Sequence, residues 1–338
     1  MQPAGAAHFV YVVNTGNNDV SAFTIGAGGG LTRIKGSPFY SGSEPLGVAI
    51  HPNGKFAYVT NALGHDVAGF QINATDGTLT HVKGSPFQAD DRPNQIAVDP
   101  TGKFAYATSH FSNEVTAYTV NATSGALAAV KGSPFKDAGS QGIAIDPTGT
   151  YAYMANQRRS AVSAFTINRN TGALTAVKES PFKAGTAPSG IAMDPTAKFL
   201  YVANSESNDV SAYGINASTG ALSPVKGSPF KACSFALGTA IDPSGKFLFI
   251  ACNGQQVDAF TINANGALTQ VKGAPFKADG NSVSVAVDPT GKFAYVVGQN
   301  ASYSGYVSAY TIGANGTLTA IKGSPFKVGT RPTGIAIK

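Results

Sequence analysis

The sequence predicts an all-β protein, one seven-bladed β-propeller domain over residues 1–338 with four-stranded antiparallel blades, and three observations carry that reading. The pentapeptide "KGSPF" stands at Lys35, Lys83, Lys131, Lys226 and Lys322, with variants "KESPF" at Lys178 and "KGAPF" at Lys272, so it recurs every 46 to 50 residues. Each interval holds four short runs rich in β-branched and aromatic residues, each closed by a turn signal. The two ends of the chain are unequal fragments of the same unit. A chain that is 12% charged and 43% apolar, with 40 Gly, 19 Pro and no Trp, fits a turn-rich β protein and excludes a coiled coil or a disordered chain.

One unit, read from Ser189, is "SGIAMDPTAKFLYVANSESNDVSAYGINASTGALSPVKGSPF". Strand A is its small apolar run, and a turn of the "DPTGKF" type (Asp99–Phe104) leads on, with proline fixing φ and glycine taking a left-handed position. Strand B is the "FAYV" run (Phe56–Val59) and strand C the "VSAYTI" run (Val307–Ile312). Residues such as "NATSG" (Asn121–Gly125) make the hairpin into strand D. The pentapeptide is expected to end this outermost strand, at an edge where the missing N–H of proline faces no partner. The N-terminus begins at a B-type run, His8–Asn14, while the C-terminus stops after an orphan A-type run, Thr333–Ile337. Pairing the last strand with the first therefore closes the ring three plus one.

The net charge of +6 does not mark a nucleic-acid protein, because all the lysines but Lys338 recur with the repeat and form a solvated rim. No apolar run approaches the roughly 20 residues that span a bilayer, and the start lacks the features of a signal peptide. A soluble monomer is expected, with its compartment open and a periplasmic or secreted home after signal removal among the alternatives. His8, His51, His65, His81 and His110 are scattered singly, so no metal site is expected, and no nucleotide or cofactor fingerprint is present. Cys233 and Cys252 fall near each other at one end of two paired strands, and a disulfide and two packed thiols both remain open.

"YVTN" stands at Tyr58–Asn61, with "YVVN" at Tyr11, "YMAN" at Tyr153, "YVAN" at Tyr201 and "HPNGKFAYV" from His51. These motifs resemble the YVTN-repeat and 6-phosphogluconolactonase-like seven-bladed propellers over the whole chain. The resemblance implies the fold, and it implies sugar-lactone hydrolysis as the activity to consider. Members of the lactonase branch carry an adjacent Arg and His where strand A begins. Here those stretches read "SEPLGV", "DRPNQI", "GSQGI", "TAPSGI", "SFALGT", "GNSVSV" and "TRPTGI", so no catalytic histidine is carried over from the family.

Within the repeat, the A-to-B and C-to-D turns barely vary, whereas the D-to-A and B-to-C connections on the opposite face do, and function is expected on the varied face. Aligned on their Pro-like position, the D-to-A segments offer Glu44, Arg92, Ala187, Phe235, Asn281 and Arg331, with Gln141 in the shorter fourth copy. Asn281, Arg331, Glu44 and Arg92 are consecutive around the ring and make a polar arc at the channel mouth. His65 and His110 lie in B-to-C loops of the same sector, and Arg158 in another. This set suits a small anionic ligand, a sugar lactone or carboxylate, held by Arg92, Arg331, Asn281, Gln141 and Arg158, with Glu44, His65 or His110 as catalytic base. The alternative is a non-catalytic propeller whose varied face binds a small ligand, a glycan or a protein.

Overall fold

Seven twisted sheets are arranged radially in the computed structural model, which describes residues 8–109, 111–136 and 140–338. Blade 5 shows the unit: strand A is Pro188–Met193, B is Phe199–Asn204, C is Asp209–Ile215 and D begins at Leu222–Pro224, all antiparallel. Blade 1 combines the ends of the chain, with Pro332–Ile337 pairing along Phe9–Asn14, so the ring closes three plus one. His8 Nδ1 lies 3.1 Å from the Lys338 carbonyl at that seam.

Strands B and the middle of strands C are buried on both faces, which is why they read as apolar runs instead of alternating ones. The core lies between blades. Phe9, Tyr11 and Val13 of blade 1, for example, pack with Ala57, Val59 and Phe70 of blade 2. Each such aromatic or aliphatic side chain contributes about 1.5–3 kcal/mol of hydrophobic stabilisation on burial.

The pentapeptide does more than end an edge strand, and this corrects the sequence reading. Its X–Pro bond is cis in all seven copies, and the chain turns back so that Phe39 and its counterparts pair with strand C as a second short segment of strand D. The serine hydroxyl accepts a strand C N–H: Ser37 from Ala22, Ser85 from Gly69 and Ser228 from Ala212, all at 2.8–2.9 Å. Ala274 of "KGAPF" has no hydroxyl. There the Ala259 N–H donates to Asp258 Oδ1 at 3.0 Å instead.

Tyrosines of strand B bind the next blade. Tyr11, Tyr58, Tyr106, Tyr153, Tyr201 and Tyr295 donate to the carbonyls of Gly77, Gly125, Gly172, Gly220, Gly266 and Gly29 at 2.8–3.0 Å. Burial pushes each of these phenols well above the usual tyrosine range. Blade 6 carries buried Phe249 at this place, opposite Gly316. Phe249→Tyr is expected to add the seventh bond and raise stability by about 1 kcal/mol, whereas Tyr153→Phe should lower it by about 1–2 kcal/mol. Urea unfolding of the two variants checks both signs.

His51 has a similar interblade role. Its Nδ1 accepts the Asn53 N–H at 3.1 Å and its Nε2 lies 2.9 Å from the Gly102 carbonyl of the next blade. In the sibling turn the Asp99 side chain bonds, among the described residues, within its own turn, to Thr101 and Phe104.

Candidate functional site at the channel mouth

The innermost strands surround a cavity of about 170 Å³ that opens at the varied face. Gln141, Ser189, Leu237 and Thr333, the second residues of their strands, line it together with Val283, Gln95, Thr239 and Ser284. Among the described residues, no titratable side chain lines it. Thr239 Oγ1 is shielded from solvent and has no hydrogen-bond partner among the described residues, at a position where other blades carry Val48, Ile96, Ile143 and Ile191.

The rim above it is built from one backbone device. Glu44, Arg92, Ala187, Phe235 and Arg331 share a left-handed conformation, φ 49–56°, which turns the chain from the D-to-A connection into strand A. They stand around the mouth and do not line the cavity, so the lining falls two residues further along than the Pro alignment placed it. In blade 7 the left-handed residue is Gly280, and Asn281 begins the strand in an exposed position opposite Gln299. In blade 4 Ser140 occupies the Pro register, opposite Asn156, which puts Gln141 in the lining.

The structure brings together Arg92 and Arg158. The guanidinium of Arg92 lies 4.8 Å from the ring centre of Phe111, and that of Arg158 lies 5.8 Å from the same ring. Arg158 belongs to a short 3-10 turn, Gln157–Arg159, whose Asn156 side chain accepts the Arg159 N–H. An amide chain runs from that turn to the cavity: Gln141 Nε2 donates to Gln157 Oε1 at 2.8 Å, and Asn94 Nδ2 donates to Gln141 Oε1. Two cations thus share one half-exposed aromatic ring at the edge of a neutral polar cavity.

Glu44 stands one blade away, its N–H donating to Asn18 Oδ1 at 2.9 Å, and its carboxylate has no ion pair or hydrogen bond among the described residues. It pairs with neither Arg92 nor Arg331. The Arg331 N–H donates to the Tyr303 carbonyl at 2.9 Å, across the long loop of blade 7, which extends strands B and C to Gln299 and from Ser304. His65 is exposed, with Nδ1 3.1 Å from Asp91 Oδ1 and 3.3 Å from the Arg92 backbone nitrogen. His110 lies outside the described residues. Among those described, no cluster of His, Cys, Asp or Glu suits a metal ion.

Sequence reasoning missed Phe111, Asp91, Asn94 and Gln157. The signal for Phe111 was its place beside His110 in a loop already singled out. Asp91 adjoins Arg92.

Comparison with known families decides the kinship. The model of the family described as "Lactonase, 7-bladed beta-propeller" matches residues 1–187 and 181–237. The chain belongs to the seven-bladed lactonase family. No curated protein matches its sequence. Solved structures similar to this family member include a protein of Bacteroides fragilis provisionally named 6-phosphogluconolactonase, 20% identical with a TM-score of 0.82 over 100% of this chain and 99% of that one. A protein of Bacteroides uniformis with the same provisional name is 16% identical, TM-score 0.82, over 98% and 99%. The periplasmic gluconolactonase of Pseudomonas aeruginosa is 16% identical, TM-score 0.81, over 98% of both chains. At these identities the likeness is one of fold.

Proposed function

We propose that this lactonase-family propeller binds a small anionic sugar acid, or the lactone that yields one, at the channel mouth, and opens the lactone. The observation that carries the reading is the pair of guanidiniums, Arg92 and Arg158, on the Phe111 ring beside a neutral polar cavity. Guanidiniums bind carboxylate or phosphate oxygens in a fork geometry. The amides of Gln95 and Gln141 and the hydroxyls of Ser189, Ser284 and Thr333 suit the hydroxyls of a sugar. In this reading Glu44, whose carboxylate is unpaired among the described residues, accepts a proton from water as its oxygen bonds to the lactone carbonyl carbon. The ring C–O bond breaks and the proton passes to the departing ring oxygen, giving the hydroxy acid.

A second reading, a non-catalytic binding propeller, is favoured by a cavity lining that, among the described residues, presents amides, hydroxyls and aliphatic groups. Calorimetric titration with D-gluconate and D-glucono-δ-lactone, followed by hydrolysis at constant pH, separates the two. Arg92→Ala is expected to weaken binding about 10- to 100-fold, the worth of a charge-assisted hydrogen bond. Glu44→Gln should leave binding intact and lower kcat about 10²- to 10⁴-fold. Binding by the native protein without turnover would establish the second reading, and no binding of either compound would overturn both.

A further inference from the structure

His65 closes the B-to-C loop of blade 2 in a left-handed conformation, φ 52°, where the sibling loops carry Asn18, Asn113, Ser160, Asn208, Gln255 and Tyr303. In two of those loops the asparagine does a defined job. Asn18 Oδ1 accepts the N–H of Glu44 at 2.9 Å, and Asn208 Oδ1 accepts the N–H of Phe235 at 2.7 Å, so each loop holds the left-handed rim residue that follows its own blade. His65 Nδ1 stands in the same relation to Arg92, at 3.3 Å from its N–H. Its carbonyl also accepts the Ala89 N–H at 3.0 Å, as the Asn18 carbonyl accepts that of Ser41.

The imidazole substitutes for the amide with one difference. An amide oxygen accepts at any ordinary pH, whereas Nδ1 accepts only in the neutral ring that carries its proton on Nε2. The same Nδ1 also faces an acceptor, Asp91 Oδ1, at 3.1 Å. The charged groups around it are Asp90, Asp91 and Arg92 on the connection and Asp66 beside it, whose carboxylate is held by Asn61 Nδ2 at 2.6 Å.

We infer that His65 is a pH-dependent latch on Arg92. Neutral, its Nδ1 holds the Arg92 N–H and with it the rim position from which the guanidinium reaches Phe111. Protonated, Nδ1–H turns to the Asp91 carboxylate and the Arg92 N–H loses its acceptor. His65 is then a positioning residue and not the general base. The consequence for ligand affinity rests on the anion-site reading above, but the latch itself does not.

The test begins without ligand. Imidazole 15N shifts and hydrogen-exchange protection of the Arg92 amide are followed between about pH 5 and 8, the range in which histidine titrates. Native protein should show an unprotonated Nδ1 at the upper end and lose Arg92 protection as the pH falls. His65→Asn, which restores the sibling residue, should keep protection throughout, and His65→Ala should lack it at every pH. A proton on Nδ1 at the upper end, or equal Arg92 protection in native protein and His65→Ala, overturns the latch. With D-gluconate as probe, native affinity should fall about fivefold toward the acid end, the loss of one hydrogen bond, while that of His65→Asn does not. Parallel falls in both would overturn the control of affinity. If D-gluconate binds at no pH, the anion-site reading fails, and the amide measurement still decides the latch.

Discussion

Gly190→Ala is expected to destabilise the ring by about 3 kcal/mol, an unusually large effect for one methyl group. The reason is the way the innermost strands meet. A Cβ at Gly190 would come within 2.1 Å of the Leu237 carbonyl oxygen and 2.9 Å of the Thr239 nitrogen, both backbone atoms of the next blade. A side-chain neighbour could rotate away. Backbone of an adjoining strand cannot yield without shifting a blade, and the blades are held on both sides by buried interblade clusters. Gly142 and Gly238 meet the same obstacle, with a Cβ 2.5 Å from the Ser189 carbonyl oxygen and 2.7 Å from the Ser284 Cα. The control is Gly28→Ala, in an exposed hairpin with nothing within 4 Å of the added carbon, which should change stability by no more than about 0.5 kcal/mol. Urea denaturation of the pair checks the contrast, and similar midpoints would show that the inner strands can slide apart.

Those glycines explain why the fold was legible and the site only in part. A repeat of this kind writes each blade several times, so turn residues, strand order and ring closure could be read from internal comparison alone. What the comparison could not show was the function of a residue that never varies. The pentapeptide looked like an edge terminator because proline lacks an N–H, but the serine hydroxyl and the returning phenylalanine both serve strand C. The informative copy was the exception, Ala274, where Asp258 takes over the serine's role. At the mouth, aligning connections on proline singles out Arg92, a left-handed residue at the entry to strand A, yet sets Arg158 apart. The two meet because B-to-C loops of neighbouring blades converge over one D-to-A connection, and Phe111 between them is a contact across blades that spacing along the chain does not encode. His65 read as a candidate base because of its residue type. Its position in the repeat, shared with Asn18 and Asn208, is what ties it to a backbone N–H.

The other large effect is expected at the disulfide between Cys233 and Cys252, whose Cα atoms are 6.0 Å apart across a sequence separation of 19. Cys252→Ser should cost about 3 kcal/mol, the loop-closure value for a link of this length. The site shows how that loss could be recovered. Cys233 and Cys252 occupy the places that Gly185 and Asn204 hold in blade 5, where a Cβ on the glycine would fall 2.6 Å from Asn204 Nδ2. Either a glycine accommodates the asparagine or two cysteines fill the space, so neither partner can be exchanged alone. In blade 5 Asn204 Nδ2 donates to Ser211 Oγ at 2.9 Å, and the residue at that place in blade 6 is Asp258. Asp258 is buried, and burial pushes its carboxyl above the usual aspartate range despite hydrogen bonds from Gln270, Ala259 and Cys233. An acid raised in the folded state contributes most below its unfolded value of about 3.9, and that contribution is lost as pH rises through the folded value. Asp258 is therefore a cost at neutral pH. The triple variant Cys233→Gly, Cys252→Asn, Asp258→Ser, made in an Ala274→Ser background so that the Ala259 N–H regains the serine acceptor that Ala212 has in Ser228, rebuilds the blade 5 arrangement and removes that cost. It is expected to recover most of the stability that Cys252→Ser loses, and to unfold at the same midpoint with and without reductant. If the triple variant is no more stable than Cys252→Ser, the glycine–asparagine clasp and the disulfide are not interchangeable solutions to the same packing problem.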